Sequence, residues 1–261
     1  MTVTAKYLNQ LAPQLNDRDL AIITDIGRFK LMTGGQIERL YFADGSDKSR
    51  ARNRQAVLKR LNDHEVIAHV GKRRVGGSMR GSALQLWSLD IAGQHLAQTG
   101  QRPRRPYSWY EPTIAHFLAV ADVYVELVEA ERSGKLKLLK FDAEPYSWRD
   151  FGSRTLKPDA FAQIGILNRD GTRRSKSSFF IEVDRANQYG TKIDTKMPQY
   201  LAYYRHDRME QAGRAFPRVV FLAPDDKRVA YLGRLISEYP EPPGLFSVGL
   251  LEDPVTALLS R

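Results

Sequence analysis

Residues 156–184 read LKPDAFAQIGILNRDGTRRSKSSFFIEVD, and the order of elements inside them decides the fold of the second half of the chain. Apolar, β-branched and aromatic residues over 157–166 and 177–184 predict two strands, and Asn168-Arg169-Asp170-Gly171 between them is a hairpin signal. An antiparallel hairpin sets the start of its first strand beside the end of its second. Asp159, in the Pro158-Asp159 pair that opens the first strand, and Glu182, close to the end of the second, therefore meet at one edge of a sheet. Two carboxylates so placed suit Mg²⁺, which keeps several waters of its own and can activate one against a phosphodiester.

Outward from this hairpin the pattern alternates. Upstream, Ile114, Phe117, Leu118, Ala121, Val125 and Val128 give a long helix over 112–132 that carries a third acid, Glu126, and a strand follows over 136–141. Downstream, helical spacing over 191–206 carries a lysine placed to stabilise charge developing on a pentavalent phosphate, Lys192 or Lys196. Tyr200 lies at i+4 from Lys196 on the same helix face. Strand, helix and strand then follow over 219–223, 227–238 and 246–251, which is α/β order. The acids also have local roles open to them. Asp159 can cap the turn after Pro158, and Glu182 can pair with Arg185 or a neighbouring lysine.

The first hundred residues have a different character. A helix over 17–28 is followed by Thr33-Gly34-Gly35-Gln36, a capping box that opens a second short helix, and Gly45-Ser46 separates this from a third over 48–62. Strands around residues 66–70 and 84–87 flank a glycine-rich basic tip over 71–81, and a helix over 90–98 closes the unit. This order predicts a winged helix-turn-helix, whose third helix enters the major groove while surrounding cations hold phosphates. Arg50, Arg52, Arg54 and Lys59 on the third helix, with Lys72, Arg73, Arg74 and Arg80 on the wing, are the expected contacts to double-stranded DNA. Residues 1–110 hold 18 Lys and Arg against 9 Asp and Glu, whereas 111–261 hold 22 against 21, so the net +10 resides almost wholly in the first part. Prolines and arginines over 101–110 read as a linker between a domain at 1–100 and one at 111–261. Tyr107, Trp109 and Tyr110 beside those arginines suit single-stranded DNA as well.

Composition narrows the function classes. The chain has no cysteine, which removes disulfides and thiolate metal sites and fits a reducing compartment such as the cytoplasm. No apolar run approaches the ~20 residues that span a bilayer. The five histidines show no metal spacing, and neither a phosphate-binding glycine loop nor a Gly-x-Ser-x-Gly elbow is present. Trp87, Trp109 and Trp148 read as core anchors before base-stacking surfaces.

The order helix, strand, Pro-Asp strand, Glu-x-Asp strand, helix resembles the PD-(D/E)XK nuclease fold. Over residues 17–206 the chain also resembles the replication-relaxation proteins of plasmids and mobile elements, through Thr33-Gly-Gly-Gln-Ile37, Lys157-Pro-Asp-Ala160 and Phe180-Ile-Glu-Val-Asp184. The resemblance implies an α/β (α+β) chain: an N-terminal winged helix-turn-helix followed by a nuclease-like α/β domain, with Asp159 and Glu182 as Mg²⁺ ligands and Glu126 and Lys196 beside them in catalysis. One position departs from the motif, because Asp184 stands where the nuclease lysine belongs, and Lys196 on the next helix is the substitute. Two functions follow. One is a metal-dependent deoxyribonuclease of a plasmid, phage or mobile element, working in replication, relaxation or mobilisation. The other is a DNA-binding regulator or accessory factor whose nuclease fold has lost its chemistry.

Overall fold

A computed structural model describes residues 3–70, 85–97, 103, 111–168, 171–186, 191–210, 215–239 and 242–260. The chain divides into two compact units, Met1–Val125 and Glu126–Arg261. It is an α+β protein, as its pattern of elements leads one to expect. Among the described residues no helix is long and apolar enough to cross a membrane.

In the first unit, α1 (Ala5–Leu11) and α2 (Asp17–Phe29) lead to the short β1 (Met32–Thr33), α3 (Gly34–Tyr41) and α4 (Asp47–Asp63). Strands β2 (Ile67–His69) and β3 (Leu86–Leu89) and helix α5 (Ile91–Leu96) follow. The strands pair antiparallel in the order β1-β3-β2. Thr33 caps α3 through the box foreseen in its sequence: the Thr33 hydroxyl accepts from Gln36 N, and Gln36 Oε1 accepts from Thr33 N. Asn16 and Asp19 build a second box at the start of α2, and Asp19 also takes both of its oxygens to Arg60 of α4, at 2.7 and 2.8 Å. Gly93 lets α5 lie against the sheet, since a Cβ there would stand 2.0 Å from the Val66 carbonyl oxygen. The basic tip, with Lys72, Arg73, Arg74 and Arg80, lies outside the described residues, and so do the linker residues other than Pro103.

Helix α6 (Glu111–Arg132) spans the division between the units at Val125 and Glu126. The sequence sets that division earlier, at 101–110. The physical reason for the difference is that the first turns of α6 are apolar enough to complete the first core. Phe117 and Leu118 are buried with Leu31, Val70 and Leu86. Tyr124 packs on Phe29 with ring centroids 5.2 Å apart, and the Gln36 amide donates to the Leu118 carbonyl and to Asp122 Oδ1, at 2.9 and 2.6 Å.

The second unit is built on a five-stranded sheet. After α6 come β4 (Leu136–Ala143), a small hairpin of β5 (Arg149–Phe151) and β6 (Arg154–Leu156), then β7 (Ala160–Leu167) and β8 (Arg173–Val183). Helix α7 (Thr191–Glu210), β9 (Arg218–Ala223), α8 (Asp226–Ser237), β10 (Phe246–Leu250) and α9 (Pro254–Leu259) complete it. The sheet order is β10-β9-β8-β7-β4. β4, β7 and β8 form an antiparallel meander, while β8, β9 and β10 run parallel. Parallel neighbours need crossovers, and α7 and α8 supply them. The run Val219–Ala223 is buried throughout, as expected of a central parallel strand covered on both faces. Phe161, Phe180, Met197, Tyr200, Phe221 and Phe246 lead the core on the α7 side of the sheet.

Candidate active site and basic helix

The β7–β8 ladder ends with Ala160 opposite Ile181, so the next step of the register sets Asp159 opposite Glu182. Both are buried, at 9% and 3% exposure. Like charges directly opposed in a sheet repel, and in a buried position they need a cation between them. Lys196 of α7 supplies it, forming an ion pair with Glu182 Oε2 and standing 3.5 Å from Asp159 Oδ1. The remaining oxygens are held by the scaffold. Asp159 Oδ2 accepts from the Val183 amide at 2.8 Å, and Glu182 Oε1 accepts from the Tyr200 hydroxyl at 2.6 Å. Lys196 and Tyr200 are one helical turn apart, which is why both reach the same carboxylate.

Burial dominates the electrostatics. It pushes the Glu182 carboxyl up to about 8, and the Asp159 charge adds to this while Lys196 and Tyr200 act against it. Burial also works against the Lys196 charge, but Glu182 and Asp159 outweigh it and hold the ammonium above its ordinary value. The Tyr200 phenol is raised by burial and by Glu182, which keeps it a hydrogen-bond donor.

The position of the missing motif lysine has its own partner. Asp184 Oδ2 accepts from Arg228 Nε of α8 at 2.7 Å, and its other oxygen takes the Ala186 amide. Asp184 is thus neutralised away from the acid pair, and Lys196 reaches both members of that pair. Glu126 does not complete the site as the sequence led one to expect. It is half-buried on α6, and among the described residues no three His, Cys, Asp or Glu side chains converge to hold a metal. Two carboxylates remain, and two are sufficient for Mg²⁺, a hard ion that retains waters. The donor set fits it: a single cationic atom, Lys196 Nζ, already lies within ion-pair reach of both.

On α4 the arginines do not share one face. Residues two apart on a helix point about 200° apart, so Arg52 is exposed while Arg50 and Arg54 turn the opposite way. Arg54 is only 3% exposed and is ion-paired with Glu38, which corrects its assignment as a DNA contact. Arg50 is half-buried, bonded to the Gly45 carbonyl at 3.2 Å and to Asp47 at 2.5 Å. The exposed stripe of α4 is Lys48, Arg52, Gln55 and Lys59, with Lys59 also 2.6 Å from Asp63. Lys48 and Gln55 were detectable by helical phase, taking the apolar Leu58 and Leu61 as the buried direction.

A chain of two units, one carrying an exposed basic helix and one a buried carboxylate–lysine site at the end of two interior strands, matches a described family. Residues 23–219 fit the family model for replication-relaxation, and the chain belongs to that family. Comparisons with curated proteins and with solved structures return no match.

Proposed function

We propose that this protein acts on plasmid or mobile-element DNA, with a winged helix-turn-helix that holds duplex DNA and a PD-(D/E)XK-type domain that cleaves it with Mg²⁺. The observation that carries this reading is the meeting of Asp159, Glu182, Lys196 and Tyr200 at one end of β7 and β8. Asp159 and Glu182 would hold the metal, which when bound supplies Lewis-acid polarisation of a phosphate oxygen and a more acidic water. Tyr200, fully buried, positions the Glu182 carboxylate. Lys196 is partly exposed, so it can exchange its pairing with the acids for the phosphate charge that develops during cleavage.

Calorimetric titration with Mg²⁺ or Mn²⁺ tests the site. The metal needs ionised carboxylates, and Glu182 holds a proton until the pH approaches about 8. Apparent affinity should therefore rise by up to about tenfold per pH unit below that value and level off above it. Glu182→Gln should bind weakly with a flattened profile, and Asp159→Ala should not bind. Equal affinity in Asp159→Ala and the parent would remove the metal from this site.

One observation favours a second reading, a DNA-binding accessory factor without cleavage. Lys196 already pairs with both acids, and among the described residues no third acid joins them in a metal-holding cluster. A titration showing no metal binding at any pH would select it.

Duplex binding follows from the α4 stripe and has its own test. Reversing Lys48, Arg52 and Lys59 together to Glu should abolish binding measured by anisotropy at moderate salt, because each phosphate neutralised contributes a slope of about −0.9 in log K against log salt. Arg50→Ala should have a much smaller effect, since its guanidinium is engaged with Gly45 and Asp47. A folded triple variant that binds like the parent would take α4 out of the interface.

A further inference from the structure

The turn between β4 and β5 carries two large aromatic side chains outward. Tyr146 is 64% exposed and Trp148 36% exposed, so Trp148 does not serve as the core anchor its sequence context suggests. Most of the Tyr146 surface and over a third of that of Trp148 face solvent, leaving aromatic area that the fold does not use. The turn that presents them is nonetheless firmly built. Ser147 between them is fully buried and donates to the Pro158 carbonyl at 2.6 Å. Arg149 donates to the carbonyls of both Tyr146 and Trp148, at 3.1 and 2.8 Å, while its guanidinium lies 4.7 Å from the centre of the Phe161 ring. Glu144 N donates to the Asp159 carbonyl at 3.2 Å. The platform is therefore hydrogen-bonded to the two residues, Pro158 and Asp159, that introduce the candidate metal ligand.

Its charge is also suited to a nucleotide chain. Lys157 stands 4.5 Å from the centre of the Trp148 ring. Lys157, Arg149 and Arg154 outnumber the acids of the same turn and hairpin, the half-buried Glu144 and the exposed Asp150, and Asp150 accepts from the Thr155 hydroxyl at 2.7 Å. Aromatic faces with cations beside them bind unpaired bases and their phosphates with little regard to sequence. In duplex DNA the base faces are covered by their neighbours, so such a platform selects a strand that is single or locally opened.

We propose that Tyr146 and Trp148, with Lys157, form a stacking site for unpaired bases of a DNA strand beside Asp159, so that the second unit takes single-stranded or melted DNA as its substrate. The choice of DNA rests on the function proposed above. The test is made on the full chain without divalent metal, so that binding is measured apart from cleavage. Labelled oligothymidylate is the probe, with a duplex of equal length beside it.

Tyr146→Ala with Trp148→Ala should weaken oligothymidylate binding about 10- to 100-fold and leave duplex binding within about threefold. Tyr146→Phe with Trp148→Phe should retain affinity, because a phenyl face still stacks. Oligothymidylate should quench tryptophan fluorescence in the parent, and Trp148→Phe should remove that quenching, a readout that holds even if the alanine variant folds poorly. Unchanged oligothymidylate affinity in a folded alanine variant, undiminished quenching in Trp148→Phe, or no oligothymidylate binding by the parent would each overturn the proposal. Loss of single-strand binding in the alanine variant, combined with a parent that cleaves no DNA in Mg²⁺ or Mn²⁺, would sustain the platform and overturn the nuclease reading alone.

Discussion

Lys196→Ala is expected to cost about 3–5 kcal/mol of stability at alkaline pH, the range for removing one partner of a buried ion pair. The cause is that Asp159 and Glu182 lose the ammonium that pairs with both. The loss should depend on pH with a definite sign. Glu182 has a folded pKa of about 8 against an ordinary value of 4.5, so it favours the fold below the lower value and withdraws that support as pH rises through the upper one. Without Lys196 the remaining influences, burial and Asp159, push the carboxyl higher still. Near pH 5 Glu182 is protonated with or without Lys196 and the variant should approach the parent, whereas the penalty should grow as pH rises past about 8 and be plainly larger near pH 9. Denaturant melts at the two pH values measure it. Added Mg²⁺ should recover stability in the variant if the acids bind metal. An equal loss at both values would mean that Lys196 acts by packing and not by charge.

Much of this arrangement is legible in the residues because local signals and tertiary structure agree. The hairpin signal predicts the antiparallel pairing of β7 with β8, and the ladder that follows a register shift between Ile166 and Leu167 brings Asp159 opposite Glu182. The Lys196–Tyr200 spacing identifies the helix face that meets them. Three features were not legible, each for a physical reason. The unit boundary is displaced into α6 because the apolar stripe of a continuous helix does not reveal which core each turn joins. The β5–β6 hairpin is three residues a side, too short for a periodic signal, so the exposed turn before it was not foreseen. Arg54 carries the same side chain as Arg52, and only the 200° between them, with Glu38 waiting on α3, separates an internal ion pair from a solvent-facing cation.

A working nuclease of this kind needs Asp159 and Glu182 as its metal-holding pair. Purified parent protein incubated with supercoiled plasmid in Mg²⁺ or Mn²⁺ should convert it to nicked or relaxed circles. Asp159→Ala should slow that conversion by about 10³-fold or more, since a metal contributes several kcal/mol to the charged transition state and each 1.36 kcal/mol is a factor of ten. The same variant should bind duplex DNA with parental affinity, because its carboxylate lies at the β7–β8 edge and not on α4. Cleavage by the parent that is lost in Asp159→Ala with duplex binding intact is the result predicted. Equal cleavage by both proteins, or none by the parent on either plasmid or single-stranded DNA in either metal, would contradict it.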